Sequence, residues 1–313
     1  MKYLLAGLGF ISTHVALHLS EVGEDVTVTY KSLNPVKEEY ISLLKGKVKV
    51  VNVDPLSEEM TKLISQHDIV ANFIGEISGG EDKLRLANVE IPSRLARDAF
   101  DQNKTFIHLS GATSTGETGV NVKEEAEHCK DSKASTPFEE SKCEGEKEIM
   151  RLALEKDGNL AILRPTLVYG RYAAHVQFVT MYKLVKARVV PELGLRMATV
   201  NAWTLAKAVH TLGRVSPKSV YLYASECGSV AVSRFFELMS EEVGKGIRLP
   251  IPTWLAKAVL PKDIRNLLRY SGTTYDCSAF KEVVGDMKFD EEEIRSNARF
   301  LKYLEEKGKL IPT

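Results

Sequence analysis

The chain has 313 residues, of which 44% are hydrophobic, enough for one large core and a smaller second lobe. Its 42 basic and 42 acidic residues cancel to zero net charge, which argues against nucleic-acid binding through a basic surface. No apolar run approaches the roughly 18 residues of a transmembrane segment, and the early glycines argue against a signal peptide. The four cysteines, at positions 129, 143, 227 and 277, lack CxxC spacing. We therefore expect free thiols, no metal site and a cytoplasmic location.

Short apolar strands alternate with amphipathic stretches through the first part of the chain, which is the pattern of parallel strands joined by crossover helices. Hydrophobic residues recur at helical spacing from Ile11 to Val22 and again over 84–100, where Pro92 indicates a kink or a late helix start. The fold class is therefore α/β, a Rossmann-type doubly wound parallel sheet. The predicted strands cover 2–6, 26–30, 48–53, 69–73, 105–110 and 160–164.

The remainder of the chain is less regular. Residues 111–136 are polar and too many for a simple connection, so we interpret them as a loop beside the active cleft, with or without a short helix at 123–128. Residues 247–270 are rich in Pro, Trp and Leu and mark a smaller α+β lobe. We predict a nucleotide-binding domain over 1–166 and a smaller substrate or partner lobe over 167–313.

A phosphate-binding turn is predicted where the first strand ends. Gly7 and Gly9 lie in the sequence GLGFIS, and the first helix follows at once. Glycines allow backbone N–H groups to approach a pyrophosphate at the positive end of a helix. At the end of the second strand, Lys31 and Ser32 stand where NAD-binding proteins carry an acidic residue for the ribose hydroxyls. A cation and a hydroxyl suit a 2′-phosphate, so we expect NADP, with NAD as the alternative.

Further motifs carry a family resemblance. Asp54 follows the third strand, residues 72–75 read NFIG, Asn88 lies in the next helix, and residues 164–170 read RPTLVYG. In this order they resemble the extended short-chain dehydrogenase/reductase superfamily, the NAD-dependent epimerases and dehydratases that act on nucleotide sugars. The resemblance implies that the second lobe is interleaved with the Rossmann core through a crossover around 200–225. The resemblance, the glycine-rich turn and the end of the second strand together predict the residues that bind the cofactor. These residues are Gly7, Gly9, Phe10, Ile11, Lys31, Ser32, Asp54, Phe73, Ile74, Gly75, Asn88, Lys142, Pro165 and Val168.

The chain departs from that family at its catalytic pair. The family carries YxxxK, in which Tyr is the acid/base, whereas this sequence has Phe138 and Lys142. Phenylalanine cannot exchange a proton, so standard epimerase or dehydratase chemistry is in doubt. Lys142 and Ser110 remain as catalytic candidates, although an alternative alignment places Gly111 at the serine position. Residues that could replace the tyrosine are Tyr169, Tyr172, His108, Thr113, Ser114 and Thr115, and none of them is preferred.

Two functions remain open. The first is an NADP-dependent reductase or isomerase of unusual mechanism, acting on a nucleotide sugar or another carbonyl substrate, whose diphosphate Arg188 or Arg196 would meet. The second is a non-catalytic NADP(H)-binding accessory or sensing module, similar to the nucleotide-binding accessory subunit of respiratory complex I. The resemblance also implies a homodimer through 84–100 and 138–153. The sequence identifies neither the substrate nor a partner protein.

Overall fold

The computed structural model describes residues 1–123, 129, 133–252, 265–266 and 268–313. Within these ranges, none of the helices combines the length and the apolarity needed to span a bilayer. Residues 124–128 of the helix considered at 123–128, and more than half of the Pro-, Trp- and Leu-rich segment 247–270, lie outside the described residues.

The elements up to the fifth strand follow the predicted alternation. They are β1 (Lys2–Ala6), α1 (Phe10–Glu21), β2 (Asp25–Tyr30), α2 (Pro35–Leu44), β3 (Lys49–Asn52), α3 (Glu58–Ser65), β4 (Ile69–Asn72), α4 (Glu81–Arg85), a π-helical turn (Leu86–Glu90), α5 (Ile91–Asp101) and β5 (Thr105–Leu109).

The elements after the long polar segment include several short strands. They are α6 (Pro137–Glu155), β6 (Leu160–Pro165), β7 (Leu167–Tyr169), α7 (Val176–Lys186), β8 (Val189–Glu192), β9 (Arg196–Met197), β10 (Thr199–Asn201), α8 (Ala202–Val215), β11 (Val220–Ala224), β12 (Val230–Ala231), α9 (Val232–Val243), β13 (Ile247–Pro250), a 3-10 turn (Leu268–Tyr270), α10 (Ser278–Val284) and α11 (Glu291–Glu306).

Seven parallel strands form the central sheet in the order β11-β6-β5-β4-β1-β2-β3. The chain order reverses between β1 and β4, and a doubly wound sheet binds its ligands at such a switch point, outside the carboxyl ends of the strands. The predicted fold class is confirmed, and the six predicted strands agree with the observed ones to within a residue at each end.

Strand β11 follows α8 and pairs with β6 at the edge of the sheet, while the interleaving of the two lobes around 200–225 stays a prediction. The other late strands form three separate pairs, β7 with β10, β8 with β13 and β9 with β12. The division of the chain at 166/167 stays a prediction, because the residues after it contribute to the main sheet as well as to the smaller lobe.

Pro92 does not mark a helix start, because the chain is already helical before it. The π-helical turn Leu86–Glu90 follows α4 directly and α5 begins at Ile91, and the junction residues Arg85 and Glu90 both have α-helical backbone angles. Proline has no N–H to donate within a helix, and here it comes just after a local change from α-helical to π-helical hydrogen bonding. Asn88 is thereby held, fully buried, in the π-helical turn that packs against α6.

The cysteines are paired, so the expectation of free thiols is wrong. Cys129 is bonded to Cys143 with Cα atoms 5.7 Å apart, and Cys227 to Cys277 with Cα atoms 5.2 Å apart. Both separations lie within the usual range for disulfides. The partners are 14 and 50 residues apart in sequence, so tertiary folding, rather than a local motif, brings them together.

A buried ion pair joins α6 to β6. Glu146 and Arg164 are both 0% exposed, and Arg164 Nη2 donates to Glu146 Oε2 over 2.7 Å. Ser114 Oγ donates to the other carboxylate oxygen over 3.0 Å, and the guanidinium lies 5.1 Å from the ring centre of Tyr221. The pair therefore ties the helix, the strand and the polar segment after β5 to one another.

Removing one partner of this pair should leave a buried charge uncompensated. We expect Glu146→Leu to lower the free energy of unfolding by about 3 to 5 kcal/mol, and Glu146→Leu with Arg164→Met to restore most of that loss. Glu148→Gln, on the same helix but in the exposed pair with Arg151, should cost less than about 1 kcal/mol. Denaturant unfolding measures all three; equal losses for Glu146→Leu and Glu148→Gln would contradict the central role of the buried pair.

Candidate active site

The glycine-rich turn at the end of β1 fits a pyrophosphate. Gly7 has a φ of +102°, and a Cβ there would lie 3.1 Å from the Ile74 nitrogen, so only glycine allows the loop after β4 to pass so close. Gly9 is the N-cap residue of α1, and a Cβ built on it would meet nothing within 4 Å. The space in front of the helix N-terminus is therefore open to a ligand. Unpaired first-turn N–H groups, including those at Phe10 and Ile11, and the helix dipole attract an anion there.

An ion pair joins the residues that follow β2 and β3. Lys31 Nζ lies 2.6 Å from Asp54 Oδ2, and both side chains are exposed. The hydrogen bond from Lys31 lowers the pKa of the Asp54 carboxyl. Lys37 Nζ donates to the Ser32 carbonyl over 3.3 Å, which places a second ammonium beside the predicted ribose-phosphate position.

A cavity of about 250 Å³ opens at the carboxyl ends of β4, β5 and β6, and residues of both lobes line it. Eight of the predicted site residues meet on its wall: Ile11, Phe73, Gly75, Ser110, Phe138, Lys142, Pro165 and Val168. The other predicted cofactor residues lie along the turn after β1, at the ends of β2 and β3, in the loop after β4 (Ile74) and in the π-helical turn (Asn88).

Lys142 is the cationic centre of the cavity. Its side chain is 6% exposed, and burial lowers the pKa of its ammonium to about 8, against an opposing effect of the Glu146 carboxylate. A Cβ on Gly75 would lie 2.6 Å from Lys142 Nζ, so the glycine leaves the room that the ammonium occupies. Asn88 fixes this loop, because its side-chain amide exchanges hydrogen bonds with the backbone of Glu76.

Ser110 supplies a hydroxyl to the same wall. It is 8% exposed, and its Oγ has no hydrogen-bond partner. Gly111, the alternative at this position, also lines the cavity but offers no side chain. Phe138 lies one helical turn before Lys142, at the position where the resemblance implies a tyrosine, and its ring lines the cavity.

The structure places most of the considered substitute donors away from the cavity. Tyr169 is fully buried, and its hydroxyl donates to Glu226 Oε1 over 2.8 Å and accepts from the Asp290 N–H over 2.7 Å. Tyr172 packs its ring against Phe300. His108 lies beside Asn72. Of the candidates named from sequence, only Thr113 lines the cavity.

The remaining candidates are tied to their surroundings. Ser114 is bound to Glu146, and Thr115 lies 3.5 Å from the Tyr223 hydroxyl. Arg196 donates to the hydroxyl and the carbonyl of Ser229. Neither Arg196 nor Arg188 is among the residues that line the cavity.

Two tyrosines on the cavity wall were missed from sequence. Tyr270 donates to Glu139 Oε1 over 2.6 Å, and Tyr275 packs its ring 4.7 Å from that of Tyr223. Burial raises the pKa of both hydroxyls, which keeps them protonated at neutral pH. Both tyrosines belong to the segment before α10, and no sequence motif around them predicts that this segment reaches the edge of the sheet.

Gly75→Ala should act on the lysine rather than on the fold. The new Cβ would lie 2.6 Å from Lys142 Nζ, the flexible end of a side chain, and 3.2 Å from Asn88 Oδ1, a contact that a shift of a few tenths of an ångström relieves. The free energy of unfolding should therefore change by less than about 1 kcal/mol. Binding of the predicted dinucleotide should weaken by roughly tenfold or more, because a misplaced ammonium loses a charged hydrogen bond. Fluorescence titration with NADPH measures this, and Gly194→Ala, where a Cβ meets open space, is the control. Unchanged affinity would show that Lys142 does not contact the nucleotide.

Comparison with known proteins agrees with this geometry. Residues 3–227 match the model of the NAD dependent epimerase/dehydratase family. Among curated proteins, no sequence matches the chain.

Solved structures share the fold at low sequence identity. UDP-glucuronic acid 4-epimerase from Bacillus cereus, in complex with NAD, is 16% identical with a TM-score of 0.77, covering 97% of this chain and 99% of that one. dTDP-glucose 4,6-dehydratase from Bacillus anthracis, also with NAD, is 12% identical with a TM-score of 0.77, covering 98% of each chain. UDP-N-acetylglucosamine 4-epimerase from Methanobrevibacter ruminantium is 15% identical with a TM-score of 0.76, covering 96% of this chain and 98% of that one. Because the family model spans well over half of the sequence, the chain belongs to the NAD-dependent epimerase/dehydratase family.

Proposed function

We propose that this protein is an NADP-dependent reductase or isomerase of a nucleotide sugar or another carbonyl compound, working without the family's tyrosine. The observation that carries the proposal is a pair of buried polar groups on one cavity wall, the Ser110 hydroxyl and the Lys142 ammonium. Ser110 Oγ has no hydrogen-bond partner among the described residues. The influences on the Lys142 ammonium are burial and the charges of Glu146 and Glu76, with no hydrogen bond among them. Buried polar groups normally have partners, so a hydroxyl and an ammonium of this kind in one cavity support a ligand that would bind to both.

The residues present fit a nicotinamide dinucleotide. The open start of α1 and the glycines before it would hold the pyrophosphate, and Lys142 would hold the nicotinamide ribose. When bound, the dinucleotide donates or accepts hydride. The two Bacillus structures in complex with NAD support this class of cofactor. Lys31, Ser32 and Lys37 favour a 2′-phosphate at the end of β2, and therefore NADP over NAD.

Lys142 is the proposed proton source. An acid is most effective when its pKa lies near the working pH, and burial brings the Lys142 ammonium to about 8. Ser110 Oγ is placed on the same wall to donate a hydrogen bond to the carbonyl oxygen. The buried tyrosines are weaker acids because their pKa values are raised.

A second candidate function is a non-catalytic NADP(H)-binding accessory or sensing module. The observation in its favour is Phe138, whose ring occupies the wall where a proton donor is needed. The similarity to a complex I subunit, a homodimer through 84–100 and 138–153, and a cytoplasmic location all stay predictions.

Dinucleotide binding tests both functions. We expect NADPH to bind more tightly than NADH and to raise the melting temperature, since a ligand of the native state stabilises it. Lys31→Ala should reduce the preference for NADPH by roughly tenfold, the effect of losing one charged contact to the 2′-phosphate. Lys45→Ala, which removes another exposed lysine, should leave it unchanged. Calorimetric titration gives the affinities; if neither nucleotide binds, both proposed functions fail.

Turnover separates the two functions. With a panel of nucleotide sugars and simple ketones, wild-type protein should oxidise NADPH at a rate that falls as the pH rises through about 8, because Lys142 then loses its proton. Lys142→Met should lower the rate by about 10² to 10⁴, the usual contribution of an acid/base group. Inactive wild type together with an active Phe138→Tyr variant would instead support the binding module.

A further inference from the structure

Lys142 differs from an ordinary buried lysine because its neighbours do not neutralise it. The two carboxylates that act on it electrostatically, Glu146 and Glu76, are both committed elsewhere. Glu146 is paired with Arg164 over 2.7 Å, and Glu76 with Lys83 over 3.0 Å. Phe138, one turn earlier on α6, offers no acceptor at all. Burial without a counter-ion favours the uncharged amine, which carries the lone pair of a nucleophile.

The cavity beside this amine suits an apolar carbonyl compound. Apolar side chains from several elements form much of its wall, and the Ser110 hydroxyl, without a partner of its own, lies on the same wall. A hydroxyl of this kind donates to a carbonyl oxygen and makes the carbonyl carbon more electrophilic. The apolar residues concerned are Ile77, Leu167, Phe178 and Met197.

We propose that Lys142 is a nucleophilic amine that forms a reversible imine with a small apolar aldehyde or ketone in this cavity. The Nζ lone pair attacks the carbonyl carbon to give a carbinolamine. Both amine hydrogens then leave with the former carbonyl oxygen as water, so a C=N bond replaces the C=O bond and no oxidant or reductant is consumed. The inference rests on the proposed function only in using the same cavity for a carbonyl compound. The imine can form only when no dinucleotide is bound, because the nicotinamide ribose would contact the same amine.

Reductive trapping tests this inference without knowledge of the natural substrate. The full-length protein is treated with hexanal and sodium cyanoborohydride, which reduces an imine to a stable secondary amine, and the labelled peptides are identified by mass spectrometry. We expect Lys142 to be labelled at least about tenfold faster than exposed lysines, because more of its amine is uncharged near neutral pH. Its labelling rate should rise with pH to a midpoint at about 8. Lys147, exposed on the same helix, is the internal comparison.

Labelling of variants, and labelling in the presence of NADPH, test the inference separately from the proposed function. Ser110→Ala should slow labelling of Lys142 without changing that of Lys147, and NADPH should protect Lys142 alone. If Lys142 is labelled no faster than Lys147, the inference is overturned, even where NADPH binds. If Lys142 is labelled rapidly but NADPH neither binds nor protects it, the inference holds and the proposed function fails. The central comparison uses wild-type protein, so it does not depend on whether a variant folds.

Discussion

The buried pair of Glu146 and Arg164 determines how the active-site helix sits on the sheet. Two fully buried charges are tolerated only when they are paired and hydrogen-bonded with good geometry, and here the guanidinium meets the carboxylate through both Nε and Nη2. Glu146 lies one helical turn after Lys142, and Arg164 immediately precedes Pro165 on the cavity wall. Fixing the pair therefore fixes the distance between the lysine-bearing helix and the strand end that faces it. The same carboxylate is then unavailable as a counter-ion for the lysine.

Close backbone approaches complete this placement. A Cβ on Gly145 would lie 2.0 Å from the Asn88 carbonyl oxygen, so α6 can reach the π-helical turn only because residue 145 is glycine. Asn88 in turn holds the loop at Gly75, over which the lysine passes. The helix, the turn and the loop thus form one rigid support, and the apolar cavity lies at its open side. A site built in this way positions Lys142 through packing rather than through an ion pair of its own.

The sequence predicted the part of this arrangement that depends on local patterns. Strand periodicity located six of the seven sheet strands. Motifs named Ser110, Phe138 and Lys142, which the fold brings to one cavity wall, and their role as site residues stays a prediction. The disulfides and the cavity tyrosines were not identified, because Cys277, Tyr270 and Tyr275 reach the site only through the path of the C-terminal segment. The role of Glu146 was also missed, since nothing in a charged helix distinguishes the one carboxylate that becomes buried. Motifs that lie close together in the chain can be predicted from sequence, whereas contacts between distant segments become visible only in the folded structure.

Phe138 has a consequence for the lysine that lies one helical turn after it on α6. The Phe138 ring lines the cavity beside Lys142 and carries no hydroxyl, so at this position the amine has an apolar neighbour where the resemblance implies a tyrosine. Burial is the largest influence on the Lys142 ammonium and lowers its pKa to about 8, although the carboxylates of Glu146 and Glu76, each paired with another cation, act in the opposite direction. Near neutral pH such a lysine is present in both protonation states, which is what the two proposed roles, proton donation and attack on a carbonyl, require. Both proposals therefore depend on a lysine that packing holds at the cavity wall without an ion pair to a described residue.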